Sequence, residues 1–314
     1  MKTAALFPFL NEDEWLHLCM KAVEDFVEEF FIVVSRRIFY AGTKSPYELY
    51  LPYLNSLQPK FSKKVTLVLG DWVDAIPQGQ DLFNRMHAEG YECVLTFDSD
   101  EIADRPVIQS VLDAMDAGAG NVGLPTLTYF RHPWHVIEPP EQHILVIATR
   151  LTKDTKSIRV GQTFNRIPTD RLTSEKPLVY IDSPMHHFAW IRNREDKILQ
   201  KTLGIHGMTT EKKRAWYENV WKKWNRGVEN FHPIHGPWYH RVRGIALSDL
   251  PPEGRMYVHE NSPTIVAVEG DTFWSIAART LGEGSLWPEI RDANPGLSSP
   301  VAGAKIAIPA MEHI

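Results

Sequence analysis

The chain has 314 residues, enough for about two domains and too many for one small core. Hydrophobic residues make up 43% and charged ones 23%, with no stretch of about 18 consecutive apolar residues, which excludes a disordered chain and a membrane-spanning helix. The net charge of −5 is unevenly spread: 11 Lys and Arg face 20 Asp and Glu in residues 1–140, 19 face 10 in 141–243, and 4 face 9 in 244–314.

Met1 to Phe9 is apolar but is closed off by Asn11-Glu12-Asp13-Glu14, too early for a secretory signal, so it reads as a buried first strand and the expected compartment is the cytoplasm. Asn11 suits a helix N-cap, with acids in the first turn, and Leu16, Cys19, Met20, Val23, Phe26 and Val27 repeat at helical spacing. Phe30 to Val34 is a β-branched and aromatic run of strand length. Val65 to Leu69 reads as a strand, Asp81 to Glu89 as a short helix, and Tyr91 to Phe97 as another strand. Arg105 to Asp116 is a helix with Pro in its first turn, Ile144 to Ala148 a strand, and Glu211 to Trp224 a helix whose Trp216, Trp221 and Trp224 suit a core. Alternation of strands and helices predicts an α/β fold with a mixed, mostly parallel sheet and helices on both faces. Cys19 and Cys93 are far apart in sequence, so neither a disulfide framework nor a thiolate zinc site is indicated.

In such sheets the ligand sits beyond the carboxyl ends of the strands, where Asp98-Ser99-Asp100-Glu101 follows the fourth strand. Two aspartates flanking one small residue at a strand end can hold a divalent cation that neutralises a departing diphosphate. The Asn11-Glu12 opening, the Val27 to Val34 strand and Phe97-Asp98-Ser99-Asp100-Glu101 resemble family 2-like glycosyltransferases of the GT-A fold. His187-Phe188-Ala189-Trp190-Ile191-Arg192, Lys197, Lys201 and Gly204-Ile205-His206 are similar to a later segment of some members, so the resemblance spans about residues 4–224. It implies that Asn11 and Glu12 lie near the nucleotide, that Asp98 and Asp100 bind ribose and metal, and that His187 is a further metal ligand, with adjacent His186 as the alternative. Arg192, Lys197 and Lys201 are then the cations for the diphosphate, the cofactor is Mn²⁺ or Mg²⁺, and the donor is a nucleotide-diphosphate sugar, UDP-linked by expectation. Where many relatives carry an acid at the end of the second strand to grip the base, this chain has Val33-Val34-Ser35.

An inverting transfer needs a base for the acceptor hydroxyl, and Asp182, Glu138 and Glu101 are the candidates, with Asp182 ranked first. The aromatic and His-rich segments 130–135 and 232–240 suit stacking on sugars or bases.

A Pro/Gly-rich joint, Leu250-Pro251-Pro252-Glu253-Gly254, marks the expected boundary: a transferase domain over 1–249, a linker over 250–262 and a small domain over 263–314. Glu269-Gly270-Asp271-Thr272-Phe273-Trp274-Ser275-Ile276-Ala277, Leu286-Trp287-Pro288-Glu289-Ile290 with Ala293-Asn294-Pro295, and the closing Ile306-Ala307-Ile308-Pro309 resemble a LysM domain of β-α-α-β order over about 263–310. The resemblance implies binding of N-acetylglucosamine-type glycan through Gly270, Asp271, Thr272, Asn294 and Pro295. The leading reading is a metal-dependent, inverting glycosyltransferase. Its acceptor is either a cell-envelope glycan, which suits LysM, or a hydroxylated pyrimidine in phage-type DNA, which suits the basic middle block. The alternative is a non-catalytic cell-wall-binding protein that presents LysM on a degenerate transferase fold.

Overall fold

The computed structural model describes residues 1–308 apart from 39–42, 46, 73, 142, 158–161, 165–166, 172, 174–176, 204–207, 225–226, 262–263, 282 and 295–296. Strand β1 (Thr3–Phe9) leads into helix α1 (Asp13–Val23), which returns the chain to β2 (Glu29–Ser35). Strand β3 (Lys64–Gly70), helix α2 (Ala75–Ala88) and strand β4 (Cys93–Thr96) follow. These strands lie parallel in the order β3-β2-β1-β4, with Leu6 paired to Phe31 on one side and to Thr96 on the other.

Both faces of this sheet are covered, which is why its strands are almost continuously apolar. Ala5, Phe7, Phe30 and Ile32 pack under α1 and helix α3 (Arg105–Asp116), while Ala4, Leu6, Phe31 and Val33 pack against Leu82, Phe83 and Met86 of α2. The side chains alternate between the two cores as the pleat requires.

Beyond β4 the sheet becomes mixed. Short β5 (Glu101–Ile102) is followed by β6 (Asn121–Phe130), β7 (His135–Glu138) and β8 (Ile144–Arg150), and β8 lies antiparallel between β4 and β6. Strand β9 (Leu178–Tyr180) and strand β10 (Met185–Trp190) both run parallel to β6. The architecture is the mixed, mostly parallel α/β sheet predicted from the alternation of elements.

A second aromatic core forms behind β10. Helix α4 (Glu195–Leu203) and helix α5 (Thr210–Trp216) enclose it, and the segment after α5 continues as a π-turn over Tyr217–Trp221. Trp216, Trp221 and Trp224 are buried there against Phe130, Trp190 and Phe231, so they serve packing. Strand β11 (Arg241–Gly244) pairs with β7 and brings residues 230–240 back over this core.

Residues 250–262 differ from the expected linker. Pro252–Asn261 form helix α6, and Tyr257 and Val258 are buried in the main core beside α1. Pro at the first turn starts a helix as readily as it breaks a chain, and the apolar residues at 257 and 258 give that helix a face to bury. After it come β12 (Thr264–Val266), α7 (Phe273–Thr280), α8 (Trp287–Asp292) and β13 (Lys305–Ala307), with β12 and β13 antiparallel around a small core of Ile276, Ile290 and Ile306. Ala293 and Ala307 of this unit belong to the main core cluster.

Candidate functional site

The carboxyl ends of β1, β2 and β4 open into a cleft of about 190 Å³ lined by Leu10, Glu12, Ser35, Arg37, Asp100 and Lys201 among others. Asp98, Ser99 and Asp100 occupy the turn after β4, fixed from several directions. The Ser99 hydroxyl donates to Pro8 O at 2.8 Å, and Glu101 Oε2 accepts from Asp98 N at 2.7 Å. Antiparallel pairing of β5 with β10 sets His187 opposite Glu101, and Phe188 N donates to Asp100 O at 2.9 Å. Sheet register therefore carries His187 to the aspartate turn.

Asp100 is buried, 2% exposed. Its Oδ2 accepts from Arg192 Nη2 at 2.6 Å and from Lys201 Nζ at 3.1 Å, while Oδ1 lies 3.6 Å from His187 Nε2. Burial pushes the Asp100 carboxyl up, but Lys201, Arg192 and His187 outweigh it and hold the group below the usual carboxylate range.

Structure divides the expected diphosphate cations. Lys201 alone lines the cleft. Arg192 has a fully buried side chain that also donates to Phe188 O and Ile191 O, so it anchors Asp100 from behind. Lys197 is buried at 3% exposed and donates to Asp13 Oδ1 at 2.5 Å, an internal pair that leaves it turned away from the cleft. Asn11 is also buried, donating to Gln200 Oε1 at 3.0 Å, whereas Glu12 lines the cleft and accepts from Leu10 N and Asn11 N.

The expected three-ligand metal set comes together only in part. Asp98 is drawn to Arg171 Nη2 at 2.9 Å, and among the described residues no group of three His, Cys, Asp or Glu is placed to hold a metal. Asp100 and His187 do face one another, Oδ1 to Nε2 at 3.6 Å. Such a pair fits a cation that takes its other ligands from phosphate oxygens and water, and a nitrogen in the set favours Mn²⁺ over Mg²⁺. His186 points to the other face of β10, with Nδ1 2.6 Å from the Tyr129 hydroxyl and Nε2 3.6 Å from Asp104 Oδ2.

None of the three predicted bases lines the cleft or the cavity behind it. Glu101 is 1% exposed and locked by Arg171, which donates to both its oxygens at 2.7 and 2.8 Å. Glu138 pairs with Arg241 at 2.7 Å on the β7–β11 edge, and Asp182 accepts from the Tyr180 hydroxyl at 3.0 Å.

On the far side of Lys201 and His187 lies a larger cavity of about 610 Å³, whose walls include Trp190, Trp238, Pro237, Glu141, His143 and Tyr239. Glu141 is its carboxylate. Its Oε1 accepts from the Tyr239 hydroxyl at 2.6 Å, and Oε2 lies 3.2 Å from His143 Nδ1. Burial pushes Glu141 up, yet His143, His187 and Tyr239 outweigh it and lower it below the ordinary value, so it is ionised at neutral pH. Burial lowers His232, on the same wall, to about 4, which keeps it neutral. Sequence reasoning missed Glu141 because it sits in a loop after Pro139-Pro140 and meets Tyr239 only through the β7–β11 pairing, 98 positions away. The aromatic and His-rich character of residues 232–240 was the available signal for this wall.

In the C-terminal unit the loop residues are mostly occupied by the fold. Asn294 is 1% exposed, donating to Ile290 O and Ala307 O and accepting from Ala307 N, so its side chain staples α8 to β13 and is closed to a ligand. The Asp271 carboxylate is taken by Arg279, the Ser275 hydroxyl and Val268 N. Thr272 caps α7 in a reciprocal box with Ser275, and Gly270 turns the chain at φ +82°. Pro295 and residues 204–206 lie outside the described residues.

The family model for the LysM domain matches residues 265–309. The C-terminal unit is a LysM domain. No curated protein matches the chain. Among solved structures, a protein from Desulfovibrio desulfuricans G20 named as a candidate nucleotide-diphospho-sugar transferase is 10% identical, with a TM-score of 0.37 over 69% of this chain and 96% of its own. The 4-diphosphocytidyl-2C-methyl-D-erythritol synthase of Anaerococcus prevotii DSM 20548 is 12% identical, TM-score 0.32, over 69% and 82%. HddC from Yersinia pseudotuberculosis is 11% identical, TM-score 0.29, over 48% and 73%. The chain joins a mixed, mostly parallel α/β sheet to a LysM domain.

Proposed function

We propose that the protein is an inverting glycosyltransferase that uses a nucleotide-diphosphate sugar. The observation that carries this reading is the meeting of two cavities at one cation: Lys201 lines both the cleft at the strand ends and the aromatic cavity, with Asp100 and His187 beside it. The cleft takes the nucleotide diphosphate and the aromatic cavity the acceptor. A divalent cation held by Asp100 and His187 would supply charge neutralisation for the diphosphate. Lys201 offers a further positive charge to the same group. Glu141 accepts the proton of the acceptor hydroxyl as its oxygen bonds to the sugar C1, and the electron pair of the broken C1–O bond leaves with the diphosphate. Tyr239 and His143 hold that carboxylate in place.

An uncharged glycan suits the cavity better than a polyanion. Beside three histidines its lining holds one Lys and one Glu, and the exposed Trp238 offers a face for a sugar ring. Several cations of the basic middle block are committed inside the protein, Arg171, Arg192 and Lys197 among them. The LysM domain would then hold the same class of glycan through its loop backbones.

Calorimetry with UDP and Mn²⁺, followed by a donor screen by mass spectrometry with oligosaccharide and hydroxymethylpyrimidine-DNA acceptors side by side, tests the reading. Glu141→Gln is expected to lower transfer by about 10²- to 10⁴-fold with donor affinity unchanged. Transfer at the normal rate by that variant rejects Glu141 as base; absence of nucleotide binding by the native protein rejects the function.

A further inference from the structure

The helix that leads into the LysM domain reaches the back of the donor site. Trp15 of α1 is fully buried between two rings, with Tyr257 of α6 at 3.8 Å and 8° on one face and Phe188 of β10 at 4.1 Å and 12° on the other. Its indole Nε1 donates to Ile191 O at 2.8 Å, which fixes the backbone just before Arg192. A Cβ added at Gly254 would lie 3.2 Å from the Phe188 ring, so α6 sits tightly on β10 as well.

A polar layer accompanies this stack. Glu14 Oε2 accepts from Asn193 N at 2.8 Å and lies 3.4 Å from the Tyr257 hydroxyl, while Oε1 lies 3.8 Å from Arg192 Nε. Asn193 Nδ2 donates to Asn261 Oδ1 at 2.9 Å, at the far end of α6. Residues 191 and 193, on either side of Arg192, are therefore both tied to the α1–α6 pair. Arg192 in turn donates to Asp100 at 2.6 Å.

We propose that Tyr257 is a positioning residue for Arg192 and, through it, for Asp100, so that helix α6 and the LysM domain it carries are built into the donor site. The inference rests on the cleft being a nucleotide-diphosphate site. A buried guanidinium beside a buried carboxylate keeps its geometry only if both backbones are fixed, and on the Arg192 side the fixing comes from α1 and α6. The domain boundary accordingly falls after Asn261.

Two readouts on the full chain test this. In the first, affinity for UDP with Mn²⁺ is measured by calorimetry well below each variant's melting temperature. Tyr257→Ala should weaken binding at least tenfold, whereas Tyr257→Phe, which keeps the ring stack, should stay within about threefold of the native protein. Equal affinity in Tyr257→Ala and native protein overturns the inference, because a helix that only adds stability would lower the melting temperature and leave the affinity alone. In the second, which uses no ligand, NMR follows the Arg192 guanidinium protons, assigned by their loss in Arg192→Lys. Slow solvent exchange in native protein and in Tyr257→Phe, with fast exchange in Tyr257→Ala, supports the inference; slow exchange in all three overturns it. If native protein fails to bind UDP while the NMR result holds, the nucleotide assignment falls and the positioning of Arg192 stands.

Discussion

The site resolves into residues that line the cavities and residues that hold those residues still, and the two classes respond differently to substitution. Lys201 is about a quarter exposed between the two cavities, so Lys201→Ala should fold normally and lose affinity for UDP by about tenfold, the loss of roughly one charge-assisted contact. Unchanged affinity in calorimetry removes Lys201 from the donor site. Arg171 has the opposite character. It is the partner of Glu101, which is sealed, and it also holds Asp98. Arg171→Met leaves a buried carboxylate uncompensated and should destabilise the protein by about 3–5 kcal/mol, read from denaturant unfolding. A loss below about 1 kcal/mol shows that Glu101 finds water or a proton in its place. Sequence reasoning brought Asp100, His187, Glu12 and Lys201 to one place because they lie on strand ends and one helix, where a local pattern implies a location. It could not separate Lys201 from Lys197: both lie on α4, and burial against Asp13 and Glu14 decides that Lys197 points inward.

At the scale of elements, β1 to β4, β8, α1 and α3 were legible because their apolar runs are long and both sheet faces are covered. Helix α2 begins at Ala75, ahead of the expected Asp81. Strand β6, with Gly123 and Pro125 inside it, and the short β7 were not legible. Nor was helix α6. Its Pro-Pro-Glu-Gly start resembles a joint, its apolar pattern is short, and the partner that makes it a helix, the Trp15 ring, is about 240 positions away. Partnering also explains the acid at the start of β2. Glu29 is buried and accepts from Thr66 at 2.5 Å and from Tyr91 at 2.7 Å, with Lys64 at 2.8 Å, tying β2 to β3 and to the start of β4. Burial pushes its carboxyl up, but Lys64, Thr66 and Tyr91 outweigh it and bring it below the ordinary value. A folded-state value below the unfolded one means that the ionised form stabilises the fold above the unfolded value, and that this contribution disappears as pH falls through the folded value. Glu29→Gln should therefore cost about 1–2 kcal/mol at pH 7, and the gap to the native protein should close below about pH 4. A gap that stays constant across this range shows that shape rather than charge makes the contact.

At the scale of the whole molecule, the decisive question is whether the LysM domain moves independently of the α/β sheet. An independent module joined by a flexible linker would let the sheet search for acceptor around a tethered glycan. The packing argues for a fixed relation. Ala293 and Ala307 of the LysM unit lie in the same core as Tyr257 and Val258 of α6, and His17 of α1 lies 3.2 Å from Glu260 near the end of α6. A LysM unit whose own core is a cluster of seven buried hydrophobic residues gains from such docking, because a domain of this size buries too little apolar surface to be robust alone. Calorimetric melting of the full chain should then show one cooperative transition, and Ala293→Asp, which places a charge in the shared core, should lower that single transition. Two separated transitions in the native protein, with only the smaller one moved by Ala293→Asp, describe a tethered module instead. Rigid docking also has a consequence for glycan recognition. A chain held by the LysM loops reaches the aromatic cavity only at a set spacing, so transfer to oligosaccharides should rise sharply at one chain length and not increase smoothly with it, as a length series of acceptors followed by mass spectrometry would reveal.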